Sequence, residues 1–217
     1  MADIEAVLWD FGGVITTSPF EAFNRYETEK GLPKNFIRGV NAVNGDTNAW
    51  ARLERSEIGP DEFDEVFRAE ALERGQDVPG KDVLGLLAGD IRWPVVNALK
   101  HCKSRVKVGC ITNNAKVGKG AGMQRDASKA AEVKSILGLF DHVIESSKIG
   151  LRKPDPRIYA LMCEALELDP RKCIYIDDLG INLKPARTMG MITIKALNQE
   201  QILSDLADAT GFTWPEV

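Results

Sequence analysis

The chain has 217 residues, 44% of them hydrophobic and 28% charged, with a formal net charge of −4 at pH 7. That balance fits a globular chain with one substantial core and a smaller appendage, and it gives no reason to expect nucleic acid or an anionic membrane as partner. No apolar run approaches the roughly 20 residues of a membrane span, and no basic-then-apolar leader opens the chain, so a cytoplasmic protein without membrane partners is expected.

The first apolar run, Ile4 to Trp9, reads as a buried strand and ends in Asp10, followed by Gly12 and Gly13. From Ser18 to Leu87 no strand is convincing. That stretch reads as amphipathic helices at Pro19–Lys30, Lys34–Val43, Asn48–Arg55 and Asp61–Arg74, with Pro60 as a helix-start signal. Beyond it, apolar runs at Val106–Ile111, His142–Ile144, Cys173–Ile176 and Met191–Ile194 alternate with helical spacing at Pro94–Lys103, Pro156–Leu166, Leu183–Met189 and Gln199–Ala209. The runs are continuous rather than alternating in polarity, as in parallel strands covered on both faces. The predicted architecture is α/β: a Rossmann-like three-layer α/β/α core with a parallel sheet, from 1–17 and 88–217, and an inserted helical cap from 18–87. Ala115–Lys129, rich in Gly and Lys, reads as a solvated loop without the P-loop spacing. Trp50 and Phe63 are expected to pack between cap helices. The four cysteines form no CxxC pair and the two histidines show no ligand spacing, so reduced, buried thiols are expected and zinc is not.

Polar groups recur where these strands end: Asp10, then Thr112-Asn113-Asn114, then Lys153 in Lys153-Pro154-Asp155-Pro156, then Asp177-Asp178. In a parallel sheet these ends share one edge and can converge. Singly, each has a plainer reading. Asp10, Thr112, Asp177 and Asp178 could cap helices, and Lys153 could lie in solvent. Together they supply a carboxylate nucleophile, a hydroxyl, amide donors, a cation and an acidic pair, which suits phosphoryl transfer. Asp10 and Asp178 would hold Mg²⁺, an oxygen-seeking cation. Lys153, Thr112 and the amide of Asn113 would bind phosphate oxygens, and Asp10 would attack phosphorus.

Four ordered motifs carry a family resemblance: Trp9-Asp10-Phe11-Gly12-Gly13-Val14, Ile111-Thr112-Asn113-Asn114, Lys153-Pro154-Asp155-Pro156, and Ile176-Asp177-Asp178 with Asn182 to Arg187 and Gly190-Met191. The chain resembles the haloacid dehalogenase superfamily of hydrolases over nearly its full length. Its last motif is especially similar to that of the N-terminal phosphatase domain of soluble epoxide hydrolase. The resemblance implies Asp10 as nucleophile, Thr112 and Lys153 as phosphate binders, and Mg²⁺ on Asp10, the Gly12 carbonyl and Asp178. Asp177 and Asn182 would have supporting roles. The implied substrate is a small phosphorylated metabolite, handled by a monomer or homodimer.

One position departs from that pattern. Phosphatases of this superfamily carry a second Asp two residues after the nucleophile as general acid, and here Gly12 stands in its place. A general acid contributes about 10²–10⁴-fold in rate, so good leaving groups would suffer least from its loss. Asp46, Arg52 and Glu54 of the cap are candidate substitutes. Two alternatives follow: a weakly active or non-catalytic phosphometabolite-binding protein, and a metal-independent 2-haloacid dehalogenase. The latter needs no acidic pair.

Overall fold

The computed structural model describes residues 3–119, 122–124 and 126–214. Five parallel strands form one sheet in the order β3-β2-β1-β4-β5: β1 (Ala6–Trp9), β2 (Lys107–Thr112), β3 (His142–Glu145), β4 (Cys173–Asp177) and β5 (Ile192–Lys195). Every strand pairing is parallel, so all the C-terminal strand ends lie on one edge.

The strands are buried on both sides because their residues divide by parity. Val7, Trp9, Val108, Cys110, Ile174 and Ile176 point into one apolar layer, against α6 (Trp93–Lys103), α7 (Ala127–Leu137) and α11 (Gln199–Thr210). Ala6, Leu8, Ile111, Cys173 and Tyr175 point into the other, against α9 (Pro156–Ala165) and α10 (Gly180–Thr188). This is the predicted three-layer α/β/α fold. All four cysteines are free and buried. Among the described residues no helix is long and apolar enough to cross a membrane.

Between β1 and α6 the chain forms α1 (Pro19–Lys30), α2 (Phe36–Ala42), α3 (Ala49–Glu54), α4 (Pro60–Glu73) and α5 (Gly80–Leu84). They build a third cluster around Phe23, Ile37, Phe63 and Phe67. Phe63 stacks on Phe67 at 5.3 Å, and Trp50 stands edge-on to Phe23 and Phe63. Both Trp50 and Phe63 thus pack among helices. The two crossings between this layer and the sheet run side by side. Thr16 bridges antiparallel to Ile91, Thr17 N–H donates to the Asp90 carbonyl, and Arg92 N–H donates to that of Ile15.

Several elements differ from expectation. α5 is too short for a helical period to show. α8 (Ser146–Ile149) is a single turn directly after β3. α4 starts at Pro60, the expected start signal, and α10 at Gly180, earlier than the apolar spacing suggested. The expected loop at Ala115–Lys129 ends early, because Asp126 accepts from the N–H groups of Ser128 and Lys129 and starts α7 there. Residues 120, 121 and 125 of that stretch lie outside the described residues.

Candidate active site

Asp10 and Asp177 meet because of sheet register. Leu8 pairs with Tyr175 across β1 and β4, and Asp10 N–H donates to the Ile176 carbonyl at 2.9 Å. Two residues on, Asp10 and Asp177 therefore leave neighbouring strands on the same face. Side-by-side carboxylates repel, and Lys153 bridges them: its Nζ lies 2.8 Å from Asp10 Oδ1 and 2.8 Å from Asp177 Oδ2. Lys153 is 1% exposed and Asp177 is 0% exposed, so neither is the solvated group its residue type would suggest.

Asp177 is also saturated. The Tyr175 hydroxyl donates to Oδ2 at 2.6 Å, and the Leu179 N–H to Oδ1 at 2.8 Å. Asn182 Nδ2 donates to both oxygens at 3.0 and 3.1 Å. Asp177 is not the cap of α10, whose N-cap is Leu179; it bonds the N–H of Leu179 from the strand end, and the same carboxylate anchors Lys153. Asp10 is only partly engaged. Its Oδ1 accepts from Phe11 N–H at 2.6 Å, and among the described residues its Oδ2 has no protein partner.

Asp178 completes the acidic group. Oxygens of Asp10, Asp177 and Asp178 all lie within 4.8 Å of one another. Ser18 Oγ donates to Asp178 Oδ2 at 3.1 Å. Gly13, at φ 78°, leaves room for that carboxylate: a Cβ there would stand 2.3 Å from Asp178 Oδ2. Gly12 differs, since a Cβ on it meets nothing within 4 Å.

The electrostatics follow from burial. Burial pushes the Asp10 carboxyl well above its usual range; Lys153 pulls it down, while Asp177 and Asp178 push it up. Asp178 is raised to about 6, by burial first and then by the charge of Asp177. Burial opposes the charge of Lys153, but Asp10 and Asp177 outweigh it and hold the lysine protonated. With all three carboxylates ionised, the cluster carries two negative charges beyond those Lys153 offsets. The donors are hard oxygens, and one divalent cation balances the excess, so the residues present fit Mg²⁺.

Thr112 is buried at the end of β2, and among the described residues its hydroxyl makes no hydrogen bond. Asn113 makes a structural contact beside it. Its side chain grips the main chain of Lys153, accepting from the N–H at 2.8 Å and donating to the carbonyl at 3.0 Å. Asn114 braces the neighbouring turn through Ser146 Oγ, Ser147 N–H and Glu145. The structure thus brings Asp10, Lys153, Asp177, Asp178 and Asn182 together, with Asn113 holding the lysine.

The suggested substitutes for the absent acid fare unequally. Arg52 pairs with the exposed Glu62, and Asp46 is exposed. Glu54 is buried and reaches the site's framework, but as the partner of Arg152 at 2.6 Å. Sequence reasoning missed Tyr175, Ser18 and Arg152. Tyr175 had a signal, because two residues along a strand return to the same face as Asp177. Ser18 and Arg152 had none, since their partners lie 160 and 98 residues away.

A family model described as haloacid dehalogenase-like hydrolase matches residues 4–190. The chain is 28% identical over 224 residues to the mouse (Mus musculus) bifunctional epoxide hydrolase 2, covering 98% of this chain and 40% of that protein. It therefore spans about two-fifths of that relative's length. It is 31% identical over 194 residues to a phosphatase of Mycobacterium tuberculosis (strain CDC 1551 / Oshkosh), covering 87% of this chain and 85% of the relative. Among solved structures, a wild-type haloacid dehalogenase family enzyme of Bacteroides thetaiotaomicron, in complex with magnesium and inorganic phosphate, superposes with a TM-score of 0.57. That match is 22% identical and covers 88% of this chain and 93% of that one, a likeness of fold.

Proposed function

The chain belongs to the haloacid dehalogenase-like hydrolases, and from that premise we propose that it is a Mg²⁺-dependent phosphatase acting on a small phosphorylated metabolite in the cytoplasm. The observation that carries the proposal is the charge imbalance of Asp10, Asp177 and Asp178 against Lys153 alone. Asp10, the Gly12 carbonyl and Asp178 would hold the ion. Bound there, Mg²⁺ would screen the repulsion between a carboxylate and a dianionic phosphate ester. Asp177, already saturated by its neighbours, is read as the anchor of Lys153 rather than as a ligand.

The chain's own residues supply the remaining steps. Asp10 attacks phosphorus and forms an aspartyl-phosphate as the P–O bond to the leaving group breaks; the departing oxyanion takes its proton from water, and a second water hydrolyses the acyl phosphate. Lys153 stays protonated and offsets charge on the transferring oxygens. The Thr112 hydroxyl donates to another of them. We read helices α1–α5, within 18–87, as a cap over this edge of the sheet, and 1–17 with 88–217 as the core.

Gly12 supports a second reading, a phosphometabolite-binding protein with little turnover, because no side chain stands at that position to protonate the leaving group. Hydrolysis of p-nitrophenyl phosphate separates the readings, since its leaving group needs little protonation. Turnover that requires Mg²⁺ and stops with EDTA supports the phosphatase. Phosphate binding without turnover supports the binding protein, and halide release from a 2-haloacid in EDTA contradicts both.

A further inference from the structure

Glu54 closes α3 and is 7% exposed, yet it is a carboxylate on the helical layer facing the other half of the molecule. Its Oε1 accepts from the Trp50 indole at 3.0 Å within the layer. Its Oε2 accepts from Arg152 Nε at 2.6 Å and from Asn113 Nδ2 at 3.4 Å. Arg152 Nη1 also donates to the Gly45 carbonyl at 2.9 Å. Alongside, Ser146 Oγ donates to the Glu54 carbonyl at 2.9 Å, and Ser56 Oγ to that of Ser147 at 2.8 Å. One short stretch of the layer thus meets two turns at the sheet edge through a set of polar groups, beside Ala115, which packs into the layer's apolar cluster.

These contacts converge on Lys153. Asn113 has one acceptor and two donor hydrogens. Lys153 N–H takes the acceptor, while the Lys153 carbonyl and Glu54 Oε2 receive the donors. The residue before the lysine, Arg152, is held by Glu54 directly. Its ammonium is fixed by Asp10 and Asp177, but the main chain of the lysine is fixed by groups that Glu54 completes. The polar groups of this seam regain water when it is parted.

We infer that Glu54 is a positioning residue: through Arg152 and Asn113 it makes the placement of the Lys153 turn depend on the seating of the helical layer. The inference rests on the reading of Lys153 as the phosphate binder. Its test uses the full chain in Mg²⁺, with inorganic phosphate as the probe and amide hydrogen exchange as a second readout. Glu54→Gln should weaken phosphate binding about tenfold and move kcat for p-nitrophenyl phosphate far less. Exchange should quicken in residues 45–57 and 146–153 together. Arg152→Gln should act alike, and the double variant should lose no more than the worse single. Arg152→Lys, which keeps the charge and loses the guanidinium fork, should show a smaller effect in the same two segments. It serves as the test if either glutamine variant fails to fold. Exchange that quickens in 45–57 alone, with phosphate affinity unchanged, would overturn the inference, as would losses that multiply in the double variant. A wild-type protein that neither binds nor releases phosphate would sink the functional reading instead. The latch would then stand or fall on whether both segments respond in exchange.

Discussion

Asp178 shows most clearly what the site costs the fold. A carboxyl raised to about 6 from an ordinary 3.8 binds its proton more tightly in the folded state. The resulting stability is complete below the unfolded value and is lost as pH rises through about 6. By neutral pH the loss amounts to about 3 kcal/mol, incurred through burial first and then the charge of Asp177, and only partly offset by Lys153 and the Ser18 hydroxyl. Asp178→Asn should therefore raise the metal-free melting temperature at pH 7.5 by several degrees and abolish the shift that Mg²⁺ produces. The stabilisation should shrink as pH falls below 6. Because the proton and the cation compete for Asp178, the Mg²⁺ concentration giving half the thermal shift in the wild-type protein should be about tenfold higher at pH 5 than at pH 7. A pH-independent midpoint would contradict this assignment. Gly12 makes a separate prediction. A side chain fits there, since a Cβ meets nothing within 4 Å. Gly12→Asp should raise turnover of alkyl phosphates by about 10²-fold or more and that of aryl phosphates much less. Steady-state rates on a matched pair of esters would show the reverse order if protonation of the leaving group were not limiting. At this scale Asp10, Lys153 and Asp178 were legible as polar groups at strand ends, and Asn182 only through the family resemblance of its motif. The working attachment of Asn113 was not, because a residue type does not disclose that its amide will be spent on a main chain 40 residues away.

Elements were legible in proportion to their burial. β1 and β4 are buried throughout, so their apolar runs could not be mistaken for amphipathic helix, and all five predicted strands are present. The first helix was equally plain over Pro19–Lys30, and the structure adds Ser18 as its N-cap and Gly31 as its C-cap. The short helices α5 and α8 were not, being set by local turns and by neighbours rather than by a repeating stripe. Within the helical layer the aromatic packing carries its own prediction. Phe67 is fully buried and stacked on Phe63, so Phe67→Ala should destabilise by about 3–5 kcal/mol in urea unfolding. Amide exchange in that variant should quicken across α1–α5 while β1 and β4 stay protected. Equal loss of protection in the sheet would mean that the layer and the sheet do not behave as separable units.

Across the whole molecule, two runs of chain, Thr16–Ser18 and Gly89–Arg92, join the sheet to the helical layer. The polar seam at Glu54, the packing of Ala115 and the Ser18–Asp178 bond attach the layer to the turns at the sheet edge. Sequence order made the insertion visible, because a helical stretch interrupts the strand–helix alternation directly after Asp10. It gave no view of the seam, whose partners lie 59 to 107 residues apart. The shape brings one carboxylate with an uncommitted oxygen, Asp10, beside a buried cation at an edge of the sheet that also presents Thr112. The central claim is that this carboxylate attacks phosphorus, and the direct measurement is phosphate release from p-nitrophenyl phosphate in Mg²⁺ by wild-type protein and by Asp10→Asn. The account predicts Mg²⁺-dependent release by the wild type and a loss of at least about 10³-fold in a variant that still folds. Release by Asp10→Asn at the wild-type rate would contradict it.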